Sequence, residues 1–297
     1  MTCHMSQAAR DTIFVEQAEV LQHRQWPGQQ FILRLQAPLC ARKAAPGQFI
    51  HLRCDDGLPL RRPLSIMAVD VQTGWIDLLY KVVGEGTTRL AQKQRGDVLS
   101  LIGPIGNRFT DNHARPHKIL IGGGVGIPPM LFLASQLARL QADNVKNMLL
   151  LMGSESPFPF ELKNSSLTVS GIQSACKLAL AGMEQLQIAS RLASLSPAPG
   201  IHNGYVTELA RQHFDTLDDK ALAQTEIFAC GPTPMLQAVG QLASEFKLPC
   251  QVSLEEVMAC AVGGCAGCVV RLSTDAGESM QRVCVDGPVF EASRVCF

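Results

Sequence analysis

The sequence lacks a surplus of either charge. Lysines and arginines number 26, aspartates and glutamates number 26, and the formal net charge of the 297 residues is zero. That balance supplies no overall electrostatic drive toward nucleic acid or an anionic membrane surface, leaving only a local basic patch open. Long apolar runs are absent as well: stretches such as Met148-Leu149-Leu150-Leu151-Met152 are far too short to span a bilayer. The opening Met-Thr-Cys-His-Met-Ser-Gln has no basic stretch followed by an apolar one. No secretory signal is therefore expected, and the cytoplasm is the expected compartment. Internal repeats and low-complexity tails are missing too. What remains is a globular composition, 46% hydrophobic and 18% charged, long enough for two domains or three small ones.

Cysteine, by contrast, is plentiful, with eleven in the chain. Four crowd together as Cys260, Cys265, Cys268 and Cys284, while Cys3, Cys40, Cys54, Cys176, Cys230, Cys250 and Cys296 are scattered. A chain of this size rarely needs disulfides inside a cell, so the crowd reads as a metal site and most of the rest as small core residues.

Residues 1–112 carry short β-type runs between Pro and Gly turns (Ile13 to Val20, Phe31 to Leu35, Gln48 to Arg53, Ile76 to Val83, Asp97 to Ile102). This is the pattern of a small antiparallel barrel, with a turn or two of helix from Thr87 to Gln94. Residues 113–249 change texture. Apolar strands at Lys118 to Ile121, Asn147 to Met152 and Thr225 to Cys230 alternate with helices at Pro128 to Leu140 and Pro234 to Phe246, which implies a doubly wound parallel sheet. Ser190 to Gly204 reads as a loop. Residues 250–297 form a third, cysteine-bearing piece, too small for much core of its own and expected to rely on its metal and on docking.

The crowded cysteines follow Cys260-x4-Cys265-x2-Cys268-x15-Cys284. The first three spacings match the plant-type loop that ligates a [2Fe–2S] cluster. Ala261-Val262-Gly263-Gly264 and Ala266-Gly267 are small enough to let backbone N–H groups come close to sulfur. Four cysteines can also hold a structural zinc, although zinc sites usually pair their ligands in two short knuckles and Cys284 stands alone.

Gly122-Gly123-Gly124-Val125-Gly126 follows a strand and opens a helix, where free N–H groups and the helix dipole favour a pyrophosphate. The third glycine of the strict dinucleotide fingerprint is missing, because Ile127 or Pro129 stands in its place. A tightly packed strand-to-helix turn is the alternative. After the second strand, Gly153-Ser154-Glu155-Ser156 offers no arginine for a 2′-phosphate, which favours NADH over NADPH. In the barrel half, Arg61-Arg62-Pro63-Leu64-Ser65-Ile66 puts Arg62 and Leu64 on one strand face and Pro63 and Ser65 on the other. A guanidinium there can pair with phosphate and a serine hydroxyl with a ring nitrogen. Alone, such a stretch would be an ordinary strand.

Together, the Arg-Pro-Leu-Ser strand, the glycine loop with its two prolines, Cys230-Gly231-Pro232-Thr233-Pro234-Met235 and the terminal cysteine loop make the chain resemble the ferredoxin–NADP reductase superfamily. Within it, the chain is similar to the electron-transfer subunits of class 1B dihydroorotate dehydrogenase. Cys284-Val285-Asp286-Gly287-Pro288-Val289-Phe290 is the most specific element. The resemblance implies a β-barrel flavin domain, an α/β doubly wound nucleotide domain and a small C-terminal [2Fe–2S] domain. It implies that Arg62, Pro63, Leu64 and Ser65 hold the FAD isoalloxazine and phosphate. Leu79, Tyr80, Lys81, Val82, Gly86 and Thr87 would line its ribityl and pyrophosphate portion. Gly122, Gly123, Gly124 and Gly126 would face the pyrophosphate of NAD(H), and Cys230, Gly231 and Pro232 would border the nicotinamide. Cys260, Cys265, Cys268 and Cys284 would ligate the cluster. Against that family pattern, the stretches around residues 157–167 and 190–202 read as additions.

The implied activity is that of an oxidoreductase subunit in pyrimidine biosynthesis. Hydride passes between NADH and FAD and single electrons pass through the cluster, with no catalytic side chain of the chain's own. The implied partner is an FMN-containing dihydroorotate dehydrogenase subunit, in an assembly of two of each. Two readings stand beside it: a self-standing or other-complex NAD(P)H reductase of the same architecture, and a non-catalytic redox-sensing or zinc-stabilised binding module. His51, His113, His117 and His202 form no metal pattern, and Glu255-Glu256 reads as a solvated acidic pair.

Overall fold

The computed structural model describes residues 12–297; Cys3 and the opening residues read above for a secretory signal lie outside them. Six strands close a barrel: β1 (Phe14–Trp26), β2 (Gln30–Gln36), β3 (Phe49–Leu52), β4 (Arg62–Asp70), β5 (Trp75–Lys81) and β6 (Val98–Ile105), in the order β1-β2-β5-β4-β3-β6. Every neighbouring pair is antiparallel. Period-two alternation sends Ala18, Val20, Leu33, Leu35, Ile76, Leu78 and Leu101 inward to one core. Helix α1 (Pro38–Lys43) is tied to the barrel by the buried Glu16 carboxylate, which accepts the backbone N–H groups of Leu39 and Cys40 at 2.9 and 2.7 Å. The helical segment expected over Thr87 to Gln94 is α2 (Glu85–Leu90).

The second body is a seven-stranded sheet. It uses β7 (His117–Gly123), β8 (Met148–Gly153), β11 (Ala189–Ser194), β12 (His202–Asn203), β13 (Thr225–Cys230), β14 (Cys250–Ser253) and β17 (Val289–Glu291), ordered β12-β11-β8-β7-β13-β14-β17. All are parallel to their neighbours except β17, which runs against β14. Strands β9 (Leu162–Asn164) and β10 (Leu178–Leu180) form a separate pair, and β15 (Val269–Thr274) and β16 (Gly277–Arg282) form a hairpin. Beyond their first residues the inner strands are apolar because both faces are covered. Leu120, Leu150 and Phe228 share a core with helix α3 (Ile127–Leu140). Ile121, Leu151 and Ala229 share the opposite one with α5 (Val206–Phe214) and α7 (Thr233–Glu245). Two short helices, α4 (Ala181–Gln185) and α6 (Asp219–Ala223), complete the set.

One sequence expectation changes here. The stretch read as a loop over Ser190 to Gly204 contains β11, a buried strand between β8 and β12. Its polar side chains are satisfied internally. Ser190 Oγ accepts the Leu180 N–H at 2.9 Å, and the Arg191 guanidinium donates to the carbonyls of Ser190 and Leu167 at 2.7 and 2.5 Å. Loop-like composition was outweighed by long-range partners.

The connection that leads from the barrel into the sheet is fixed at the start of β7 by Lys118, 1% exposed. Its ammonium pairs with Asp111 and Glu226 and donates to the Asn112 carbonyl at 2.9 Å. Burial pushes the Glu226 carboxyl up; burial acts on Asp111 too, but its contacts with Lys118 and Gln141 draw it below the ordinary value. At the near edge, β7, β13 and β14 all end toward the barrel, as open parallel sheets place their binding crevice. Among the described residues, no helix is long and apolar enough to cross a membrane.

Candidate functional site

A cavity of about 830 Å³ opens between the barrel and the carboxyl edge of the sheet. That is the size of a pocket for a large cofactor. Arg62, Pro63, Leu64 and Ser65 form one wall along β4; Leu79, Tyr80 and Lys81 of β5, with Thr87, form the next. Tyr80 contributes little of its ring. The side chain is 1% exposed, lies parallel to Phe31 at 5.4 Å and hydrogen-bonds its hydroxyl to His23 Nε2 at 2.8 Å. Val82 does not line the cavity; it packs against the barrel core, its N–H donating to the Gln29 carbonyl. Gly86 is not on the wall either, but a Cβ there would stand 2.6 Å from Arg62 Nε. Glycine at this position thus makes room for the guanidinium to lie over the start of α2. Thr87 Oγ1 accepts the N–H groups of Val83 and Gly84, which shapes the turn beside it.

The facing wall was not foreseen. Ser253, at the end of β14, and Glu255, Glu256 and Met258 beyond it look into the same cavity, with Phe49 and Pro288 at its side. Glu255 and Glu256 are both exposed, as the sequence reads them, but Glu255 also has a partner that the sequence does not reveal. Its carboxylate accepts a 3.9 Å contact from the fully buried Cys230 thiol while its other side opens on the cavity. Burial pushes the Cys230 thiol up and the negative charge of Glu255 adds to the effect; desolvation by the surrounding protein pushes the Glu255 carboxyl up as well. The two residues are 25 apart in sequence, and no local signal joins them.

The four glycines of the β7–α3 turn divide. A Cβ on Gly126 would meet the Cys230 carbonyl at 2.4 Å; on Gly122, Met152 Sδ at 2.8 Å; on Gly123, Met235 Sδ at 2.5 Å. Gly123 and Gly126 let the Cys230-Gly231-Pro232 turn after β13 lie against the β7 turn, and Gly122 makes room for β8. Gly124 alone faces open space, at φ +55°. Val125, beside it, reaches the cavity.

At the cysteine loop, Cys268 and Cys284 are buried with their sulfurs 3.3 Å apart. Cys260 is half-buried and Cys265 exposed, and Cys260 Sγ accepts the Cys265 N–H at 3.4 Å. Burial alone would raise the Cys260 thiol, but the N–H groups of Val262, Cys265 and Gly264 turn toward it and bring it down to about 7. Burial and the neighbouring Cys268 thiol push Cys284 up to about 12. Among the described residues, no three His, Cys, Asp or Glu side chains converge as a single metal ion would need. The donors instead stand as two pairs. That arrangement suits a two-iron cluster, which takes two thiolates on each iron, better than one tetrahedral zinc.

Comparison with known proteins settles the relationship. The iron–sulfur cluster binding domain family of dihydroorotate dehydrogenase B matches residues 255–296, and the oxidoreductase FAD-binding domain family matches residues 22–109. The dihydroorotate dehydrogenase B (NAD(+)) electron transfer subunit of Desulforamulus reducens is 34% identical over 269 residues, 89% of this chain and 92% of the relative. That of Caldanaerobacter subterraneus subsp. tengcongensis is 32% identical over 256 residues, 86% and 89% of the two chains.

The chain belongs to the family of dihydroorotate dehydrogenase B electron transfer subunits.

Solved structures agree on the fold. The NADH-dependent reduced ferredoxin-NADP oxidoreductase superposes with a TM-score of 0.73 at 24% identity, covering 94% of this chain and 90% of that one. The ferredoxin reductase of carbazole 1,9a-dioxygenase gives 0.59 at 20% identity, covering 80% and 67%. The Cys284-Val285-Asp286-Gly287-Pro288-Val289-Phe290 stretch has a physical account. Asp286 accepts the Arg282 N–H at 2.8 Å, Pro288 lines the cavity, and Val289 and Phe290 lie in the last strand of the sheet. Pro288 also accepts the Leu254 N–H at 2.9 Å.

Proposed function

We propose that the chain carries electrons between NAD(H) and an FMN-containing dihydroorotate dehydrogenase subunit, by way of FAD and a [2Fe–2S] cluster, in pyrimidine (UMP) biosynthesis. One observation supports this reading above the others: the large cavity and the cysteine loop share a wall. Met258 and Pro288 line the cavity, while Cys260 follows Met258 by two residues and Cys284 precedes Pro288 by four. A site for a two-electron carrier therefore abuts a site for a one-electron carrier. FAD supplies the exchange between a hydride pair from the nicotinamide and single electrons at the cluster.

The chain's own residues would act as follows. Arg62, with Lys81 at the same cavity, offers positive charge to a pyrophosphate. Pro63, Leu64 and Leu79 give an apolar bed that keeps water from an isoalloxazine ring, and Ser65 offers a hydroxyl. Gly124, open and next to Val125 at the cavity, marks where a dinucleotide could approach; Gly122, Gly123 and Gly126 would serve by close packing. Cys230 and Glu255 stand where the nicotinamide would enter. Cys260, Cys265, Cys268 and Cys284 would hold the iron.

The working units of this reading are a flavin barrel to residue 112, a nucleotide-binding sheet over 113–249 and a cluster unit over 250–297. The last lends β14 and β17 to the sheet. Ten cysteines among the described residues are free, which fits a reducing cytoplasm. The test is reconstitution. Mixed with a class 1B dihydroorotate dehydrogenase catalytic subunit, the chain should form an assembly of two of each that reduces NAD⁺ with dihydroorotate. A chain carrying FAD and cluster that neither assembles nor supports NAD⁺ reduction would instead favour a reductase serving another acceptor.

A further inference from the structure

The Cys284–Phe290 segment joins the cluster site to the flavin cavity, and what fixes its position is a residue of the barrel. Asn107 lies just beyond β6. Its backbone N–H donates to the Gly287 carbonyl at 2.6 Å, and its side-chain Nδ2 donates to the Asp286 carbonyl at 2.7 Å. The preceding Gly106 has φ +88°, and a Cβ there would lie 2.3 Å from Pro288 Cδ. Glycine at 106 thus allows the backbone contact that Asn107 completes.

From Asp286 the contacts run on into the cysteine loop. Its carboxylate accepts from the Arg282 backbone N–H at 2.8 Å and from Arg282 Nε at 3.3 Å. Arg282 Nη1 donates to the Gly263 carbonyl at 3.2 Å, within the turn between Cys260 and Cys265. Both halves of the cysteine set are therefore tied, through Asp286, to one barrel asparagine. Cys284 and Pro288 are four residues apart, so the covalent path between cluster and cavity spans no more than about 14 Å. Electron tunnelling falls exponentially with separation, which makes the exact seating of this segment matter for rate and not only for stability.

We propose that Asn107 is a positioning residue for the flavin–cluster step: its two donors seat the Cys284–Pro288 segment against the barrel and so set the distance electrons must cross. The inference rests on the cavity being the flavin site and the four cysteines being the cluster ligands. Asn107 itself does not line the cavity.

The experiment compares wild type, Asn107→Ala and Asn107→Asp as full chains loaded with FAD and cluster. Alanine removes one hydrogen bond and leaves the backbone bond; aspartate turns an acceptor toward the Asp286 carbonyl. Rapid mixing with NADH follows flavin bleaching and cluster reduction separately. Low-temperature paramagnetic resonance of partly reduced samples measures the dipolar coupling between flavin and cluster. Both variants should bleach flavin at the wild-type rate, reduce the cluster several-fold more slowly because tunnelling falls exponentially as the segment moves away, and show weaker coupling. Unchanged cluster kinetics and coupling in both variants would overturn the proposal. So would equal slowing of both phases, which would make Asn107 merely structural. A wild-type chain that binds no flavin or no cluster would overturn the underlying reading instead.

Discussion

Gly126 shows most plainly how a single missing side chain positions the site. With the Cys230 carbonyl carbon and oxygen both 2.4 Å from where its Cβ would be, Gly126→Ala must push the start of α3 away from the β13 turn. Overpacking of this kind costs about 1–3 kcal/mol. Urea denaturation should show that loss, and the Michaelis constant for NADH should rise as the two turns separate. Stability and Michaelis constant equal to wild type would show that the turns have slack. His51 makes a different residue-scale test. It is 1% exposed, and burial, reinforced by the charge of Arg61 and only partly offset by backbone contacts at Arg61 and Met258, lowers its imidazole to about 4. The unfolded chain takes up this proton from about pH 6.5 downward while the folded chain refuses it. Stability should therefore be intact above about 6.5 and fall by roughly 3 kcal/mol as pH drops to 4. In His51→Leu that part of the acid slope should vanish when urea midpoints are compared from pH 7 to pH 4. An unaltered slope would assign it to other groups.

Among the elements, β7 and β13 depend on an unusual pair of partners at their starts. Lys118 on β7 neutralises Glu226 on β13 and Asp111 on the incoming connection. Lys118→Met would leave two carboxylates facing each other in a buried place, a loss of about 3–5 kcal/mol by urea denaturation. Adding Asp111→Asn and Glu226→Gln should recover much of it, and no recovery would mean that the lysine stem, not its charge, holds the junction. Which elements were legible in the sequence follows from the same physics. β7, β8 and β13 announce themselves because strands covered on both faces are apolar runs. The cysteine spacing is local and needs no tertiary context. β11 was missed because Ser190 and Arg191 find their partners at Leu180 and Leu167, which no window around them reveals. The contact of Glu255 with Cys230 is hidden for the same reason: only the fold brings the two together. The glycine turn reads in the sequence either as a phosphate cradle or as a packed turn; what three of its glycines meet is protein from β8, β13 and α7, which no local window reveals.

Across the whole molecule, barrel, sheet and cysteine loop meet around one space. Phe49 of the barrel lies in the same core as Met258, Cys268 and Cys284, so the cluster unit is packed on the outside of the flavin barrel. Its end strand, β17, then closes the sheet. Cys284→Ser should accordingly abolish the cluster signal while flavin absorbance and NADH bleaching persist, since no cavity-lining residue is changed; loss of flavin along with the cluster would mean that the two sites do not fill independently. The relay itself is tested most directly by counting electrons. Anaerobic titration of the purified holo-chain with dithionite, followed by absorbance and low-temperature paramagnetic resonance, should take up about three electrons per chain, two for a flavin and one for a two-iron centre. The last should appear as a paramagnetic signal from that centre. Uptake of only two with no such signal, or a colourless chain that takes up none, would contradict it.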